Sequence, residues 1–174
     1  MGEKQHNLAG LAMQIAAEIG SAGTGEKAET RRMGQEGSRL YWRLIARLQI
    51  EQKHEEKWLW FMRMIALLTP ASQDGSIHKP GRPLGAVLAD GGEPQKPLKP
   101  NELFVSETRL ARLLATRGSQ RLEALERTIR MIARKRPELD VATLAQAVFR
   151  QNDRTLRDYF DRLDKNKSKD QTND

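Results

Sequence analysis

Guanidinium groups at helical spacing are the residues of this chain best placed to do chemistry. Arg127, Arg130 and Arg134 recur at steps of 3 and 4, which stacks side chains along one face of an α-helix. On the same segment Leu122, Leu125, Ile129 and Ile132 follow steps of 3, 4 and 3, an apolar stripe. At about 100° per residue the arginines lie roughly 150° round the helix from that stripe. One face therefore enters a core, and the other presents positive charge. The chemistry open to such a face is charge pairing with a polyanion, nucleic acid before anionic membrane.

A solvated face is the alternative. Glu123 precedes Arg127 by four, and Glu126 precedes Arg130 by four. Both are in the favourable acid-first order, and surface pairs of this kind contribute about 0.2–0.5 kcal/mol each. Arg134, Lys135 and Arg136 have no such partner nearby, and Arg109, Arg112, Arg117, Arg121, Arg150, Arg154, Arg157 and Arg162 extend the basic region. Earlier in the chain the pair Arg31-Arg32 is a second place where phosphate could be met, or simply a solvated turn.

Catalytic constellations are missing. His6, His54 and His78 stand in three unrelated local contexts, without metal-ligand spacing. No Gly-rich loop ends in Lys-Ser/Thr, and most carboxylates have basic neighbours, as surface pairs do. With no cysteine among 174 residues, disulfides and thiolate metal sites are excluded, and the expected compartment is a reducing cytoplasm. The opening residues, Met1 to Asn7, lack a signal peptide's apolar core. No run approaches the 18 apolar residues of a membrane span, so no membrane partner is expected. The expectation is a non-enzyme without cofactor or metal. The balance of 30 Lys and Arg against 23 Asp and Glu gives a net charge of +7 and a pI near 9.9, which favours a polyanionic partner.

The elements that must position these groups read as helices throughout. Leu8, Leu11, Ala12, Ile15, Ala16 and Ile19 set a first helix ending near Gly20, and Leu40, Tyr41, Leu44, Ile45 and Leu48 a second behind Ser38. Trp58 to Leu68 is apolar nearly all round, the mark of a buried helix, and Pro70 stops it. Leu84, Val87 and Leu88 suggest a short helix closed by Gly91-Gly92. The long basic helix is expected over Ser119–Arg136, yielding before Pro137. Asp140 and Asp153 are expected to cap the two helices that follow. The fold expected is all-α: two small helical lobes of roughly seven to eight helices and no sheet. The lobes are expected at 1–92 and 101–164, joined by a Pro-rich connector at 93–100, with a disordered tail at 165–174.

Two binding modes fit this layout. One is sequence-tolerant contact with nucleic-acid backbone. The other is a helix-turn-helix over Asp140–Val148 and Asp153–Phe160, similar to the second such motif of arabinose-regulator-type transcriptional activators, though Phe149-Arg150-Gln151-Asn152 lacks the usual Gly.

Taken in order, GEKAETRR (25–32), LYWRLIARL (40–48), FMRMIALLTP (61–70), PLGAVL (83–88), RLARLLA (109–115) and the run from Leu122 through Asp140 to Asp158-Tyr159-Phe160 resemble the CasB family, the small subunit of the type I-E CRISPR Cascade complex. Family members often have Asp-Trp where this chain has Asp140-Val141, a departure in packing more than in charge. The resemblance implies a non-catalytic, all-α subunit in antiviral defence. Its implied partners are other Cascade subunits, crRNA, the displaced non-target strand of target DNA and a second copy of itself. Its implied task is to steady the R-loop. Carried over by position, the implied contacts are Arg31, Arg32, Arg127, Arg130, Arg134, Arg150 and Arg154.

Overall fold

The computed structural model describes residues 3–150 and 154–170, with side chains over 7–150 and 154–165. Among the described residues lie nine α-helices and no extended strand: α1 (Glu3–Gly20), α2 (Thr24–Arg32), α3 (Arg39–Arg47), α4 (Glu55–Leu68), α5 (Leu84–Asp90), α6 (Glu107–Ala115), α7 (Gly118–Ala133), α8 (Val141–Phe149) and α9 (Arg154–Asp170). The all-α expectation holds, with one more helix than the upper end of the expected count. The nearest approach to a sheet is an isolated parallel bridge between His78 and Leu139.

Helix α4 is the hub, as its sequence requires. Phe61, Met62, Met64, Ile65 and Ala66 are all fully buried, on several faces of one helix, so it must be surrounded. α1, α2, α7 and α8 do this. Each such large side chain contributes about 1.5–3 kcal/mol on leaving water. α1 also packs on α8, and α5 on α9. One buried cluster runs from Ala12 to Tyr159, so the segments on either side of 93–100 share a core.

Local signals set the helix ends. Ser38 accepts a hydrogen bond from the Tyr41 N–H at 3.1 Å, and Asp140 accepts one from Ala142 N–H at 3.0 Å, the side-chain capping that orphan N–H groups need. Gly91 ends α5 in the left-handed region at φ 68°, which glycine enters at no steric cost. The expected cap Asp153 lies outside the described residues. α9 runs to Asp170, beyond Lys165, where the polar tail is expected to begin; residues 171–174 lie outside the described ones.

Candidate nucleic-acid interface

The apolar stripe of α7 is buried as its spacing requires: Leu122 6 %, Leu125 3 %, Ile129 and Ile132 0 % exposed. The helix ends earlier than Arg136. Its last turn tightens, Lys135 N–H donating to Ile132 O at 2.9 Å and Arg136 N–H to Ala133 O at 3.0 Å. Arg136 takes φ +51°, outside the α region that a following proline disfavours. The run Arg134-Lys135-Arg136 is thus carried off the helix end, and all three residues are exposed.

This end of α7 faces the end of α4. Between them is an open groove of about 410 Å³, more than ten times what one water needs. Arg31 from α2, Arg130 from α7, and Arg134 and Arg136 line it, together with Leu67, Leu68, Ala133 and the segment Thr69–Ser72; no carboxylate is among the lining residues. Four guanidinium groups therefore share a concavity without a lining counter-charge.

The arginines differ in how free they are. Arg31 is half-buried and already engaged: its Nε donates to Ala66 O at 2.7 Å and its Nη2 to Thr69 O at 2.6 Å. These are carbonyls at the C-terminal end of α4, where orphan acceptors and the helix dipole attract a cation. Lys27, one turn earlier on α2 and 2 % exposed, donates through Nζ to Gln73 O. Together they hold the Thr69–Ser72 wall. Arg130 keeps 55 % side-chain exposure and pairs with Glu126 at 2.9 Å. Arg134 and Arg136 make no side-chain hydrogen bond or ion pair among the described residues.

The remaining sequence-named arginines lie apart from the groove lining. Arg32 is exposed at the end of α2 beside Arg31. Arg127 is exposed one turn before Arg130, its Nε 3.4 Å from the backbone oxygen of Glu123. The expected Glu123–Arg127 side-chain pair is therefore replaced by a backbone contact. Arg150 is half-buried at the end of α8. Arg154 is exposed at the start of α9, 3.6 Å from Asp158 Oδ2. Burial pushes the Asp158 carboxyl up, with Asp161 and Asp140 adding to this against the pull of Arg154.

Sequence reasoning left out Arg136 as a named contact, although the absence of acidic partners around 134–136 was the signal for it. For Glu126–Arg130 the spacing allows an ordinary surface pair as the alternative to a functional face. The pair forms, but Glu126 is buried, and its second oxygen is held at 2.5 Å by Nε of Arg63 from α4. Nor do all arginines face outward. Arg121 is 6 % exposed, and burial, with the charge of Arg117, pulls its guanidinium down from its ordinary value.

The helix-turn-helix reading meets packing constraints. α8 is covered by α1 and α4, and α9 lies along α5, with Tyr159 fully buried and its hydroxyl donating to Val105 O at 2.6 Å. Connector residues 151–153 lie outside the described ones. Among the described residues no His, Asp and Glu group is placed to hold a metal ion, and no helix is long and apolar enough to cross a membrane.

No curated protein and no solved structure matches the chain. The family model for CRISPR-associated protein Cse2 matches residues 26–165, from the start of α2 through the described side chains of α9. The chain therefore belongs to the Cse2 family, the CasB small subunit of the type I-E Cascade complex of CRISPR defence.

Proposed function

We propose that this subunit holds the sugar–phosphate backbone of the displaced non-target DNA strand in the groove between the ends of α4 and α7. Arg130, Arg134 and Arg136 act as phosphate contacts, and Arg31 shapes the wall beside them. Arg32 and Arg127 extend the track next to the groove, and Arg150 and Arg154 form a separate basic patch at the α8–α9 junction. One observation carries this reading: four arginines and no carboxylate line a single open groove. Guanidinium groups in that setting suit phosphate, which takes paired N–H donors.

In such a complex the guide supplies sequence specificity by base pairing, so the small subunit needs no base-reading helix. R-loop formation exchanges one duplex for another of similar stability, and a few backbone contacts are enough to tip it. The proposal is of a non-catalytic role in the cytoplasm, with crRNA, the other Cascade subunits and a second copy of the chain as partners. The test is competition binding. The isolated chain should bind single-stranded DNA weakly, and unrelated oligonucleotides should compete equally. One palindromic duplex bound about a thousandfold tighter would overturn this reading in favour of a sequence-specific regulator.

A further inference from the structure

Arg130 is not an independent cation. Its Nη2 lies 2.9 Å from Glu126 Oε1, while Oε2 of the same carboxylate lies 2.5 Å from Arg63 Nε. Arg63 is fixed at its other end: Nη1 donates to Met33 O at 2.9 Å, and its guanidinium carbon sits 4.2 Å from the Trp60 ring centroid. The Arg63 and Glu126 side chains are only 12 % and 11 % exposed, so little solvent screens that pair, while Arg130, at 55 % exposure, reaches the same carboxylate from the solvent side. Two cations share one anion. Arg130 retains its other donors for a ligand, but its charge toward the groove depends on how Glu126 divides its own.

We infer that Glu126, itself held by Arg63, is a positioning residue that sets the charge Arg130 offers to a phosphate in the groove. This rests on the groove being the phosphate interface. It makes Arg63, which does not line the groove, a remote determinant of binding, and it predicts opposite signs for changes at two residues in contact. Arg63→Met leaves Glu126 wholly to Arg130 and reduces the groove's charge. Glu126→Gln releases Arg130 and raises it. A merely structural pair would shift both variants in the same direction.

The experiment measures the affinity of the full chain for a mixed-sequence single-stranded oligonucleotide across a salt series. One phosphate contact contributes a log–log slope of about 0.7, or roughly fivefold in affinity at about 0.1 M salt relative to 1 M. Arg63→Met should bind up to about fivefold more weakly with a shallower slope, and Glu126→Gln up to about fivefold more tightly with a steeper one. Because Glu126→Gln alone strands the Arg63 guanidinium, which is 12 % exposed, the second variant is Arg63→Met/Glu126→Gln, which leaves neither buried charge and should show the same gain. In an Arg130→Ala background each of these effects should vanish. Effects of equal sign, no effect, or a gain that survives Arg130→Ala would overturn the inference. Separately, an Arg130→Ala single variant with wild-type affinity and slope, or a wild-type chain that binds no single strand, would overturn the groove reading beneath it.

Discussion

Arg162 Nε lies 2.8 Å from Asp90 Oδ2, tying α9 to the last residue of α5 across 72 positions of sequence. Arg82 completes the site, with Nη1 and Nη2 at 3.0 and 2.9 Å from the two carboxylate oxygens. Arg162 Nη2 also donates to Pro94 O at 3.1 Å and Lys96 O at 2.8 Å. The start of the Pro-rich connector is thus pinned to α9, and the Asp90 side chain has no exposure at all.

Removing Asp90 strands two inward-facing guanidinium groups. Asp90→Ala should cost about 3–5 kcal/mol, the range for breaking a buried pair by deleting one partner. Burial alone would push the Asp90 carboxyl up. Hydrogen bonds from Arg82 and Arg162, the Arg82 charge and the Gly92 N–H outweigh it, and hold the group below its ordinary 3.8. A depressed value in the folded state gives stability that is fully present above the ordinary value and lost as pH falls through the folded one. Denaturant titrations should therefore show wild type losing stability more steeply than Asp90→Asn below about pH 4. Parallel curves would contradict this.

Gly85 marks the crossing of α5 and α9. A Cβ there would come within 2.2 Å of Thr155 O and 2.6 Å of Tyr159 N, both backbone atoms that cannot swing aside. Gly85→Ala should cost about 3 kcal/mol or more, a fall of roughly 6–12 °C in Tm for a chain of this size. Calorimetry that finds an unchanged Tm would mean that the two helices separate freely.

Arg31 is predicted to act as a clamp more than as a contact. Arg31→Ala removes both bonds to the α4 carbonyls and should destabilise the chain by about 1.5–3 kcal/mol, with Arg31→Lys recovering part. The salt slope for single-strand binding should move less than for Arg134→Ala, which loses a full contact of about 0.7. If Arg31→Ala is as stable as wild type and loses a full contact in slope, its guanidinium meets phosphate directly.

These particulars separate what the sequence discloses from what it does not. The buried stripe Leu122, Leu125, Ile129 and Ile132 was legible because helical periodicity is a local property, and the caps at Ser38 and Asp140 depend only on neighbouring residues. The same periodicity placed Arg130 and Arg134 on an outward face. It could not show that Arg31, 99 positions before Arg130 in the sequence, lines the same groove, or that its donors are already engaged by Ala66 and Thr69. Nothing local sets Arg162 apart from the other arginines of the basic region, since its partner Asp90 is 72 positions away in sequence. Glu126 is four before Arg130 as read, but its burial and its bond to Arg63, 63 positions away, follow from the packing of α7 on α4. Charge partners fixed by tertiary contact leave no spacing signal.

The central claim is that the groove holds DNA backbone, and one measurement tests it most directly. Cascade is assembled with its guide and with either the wild-type subunit or the variant Arg130→Ala/Arg134→Ala/Arg136→Ala, and target binding is measured over a salt series. Guide retention and assembly should be unchanged, because these side chains lie outside the core stripe. Target affinity should fall, and the log–log salt slope should become shallower by about 2, three contacts at about 0.7 each. A folded triple variant that assembles and binds target with wild-type affinity and slope would contradict the account.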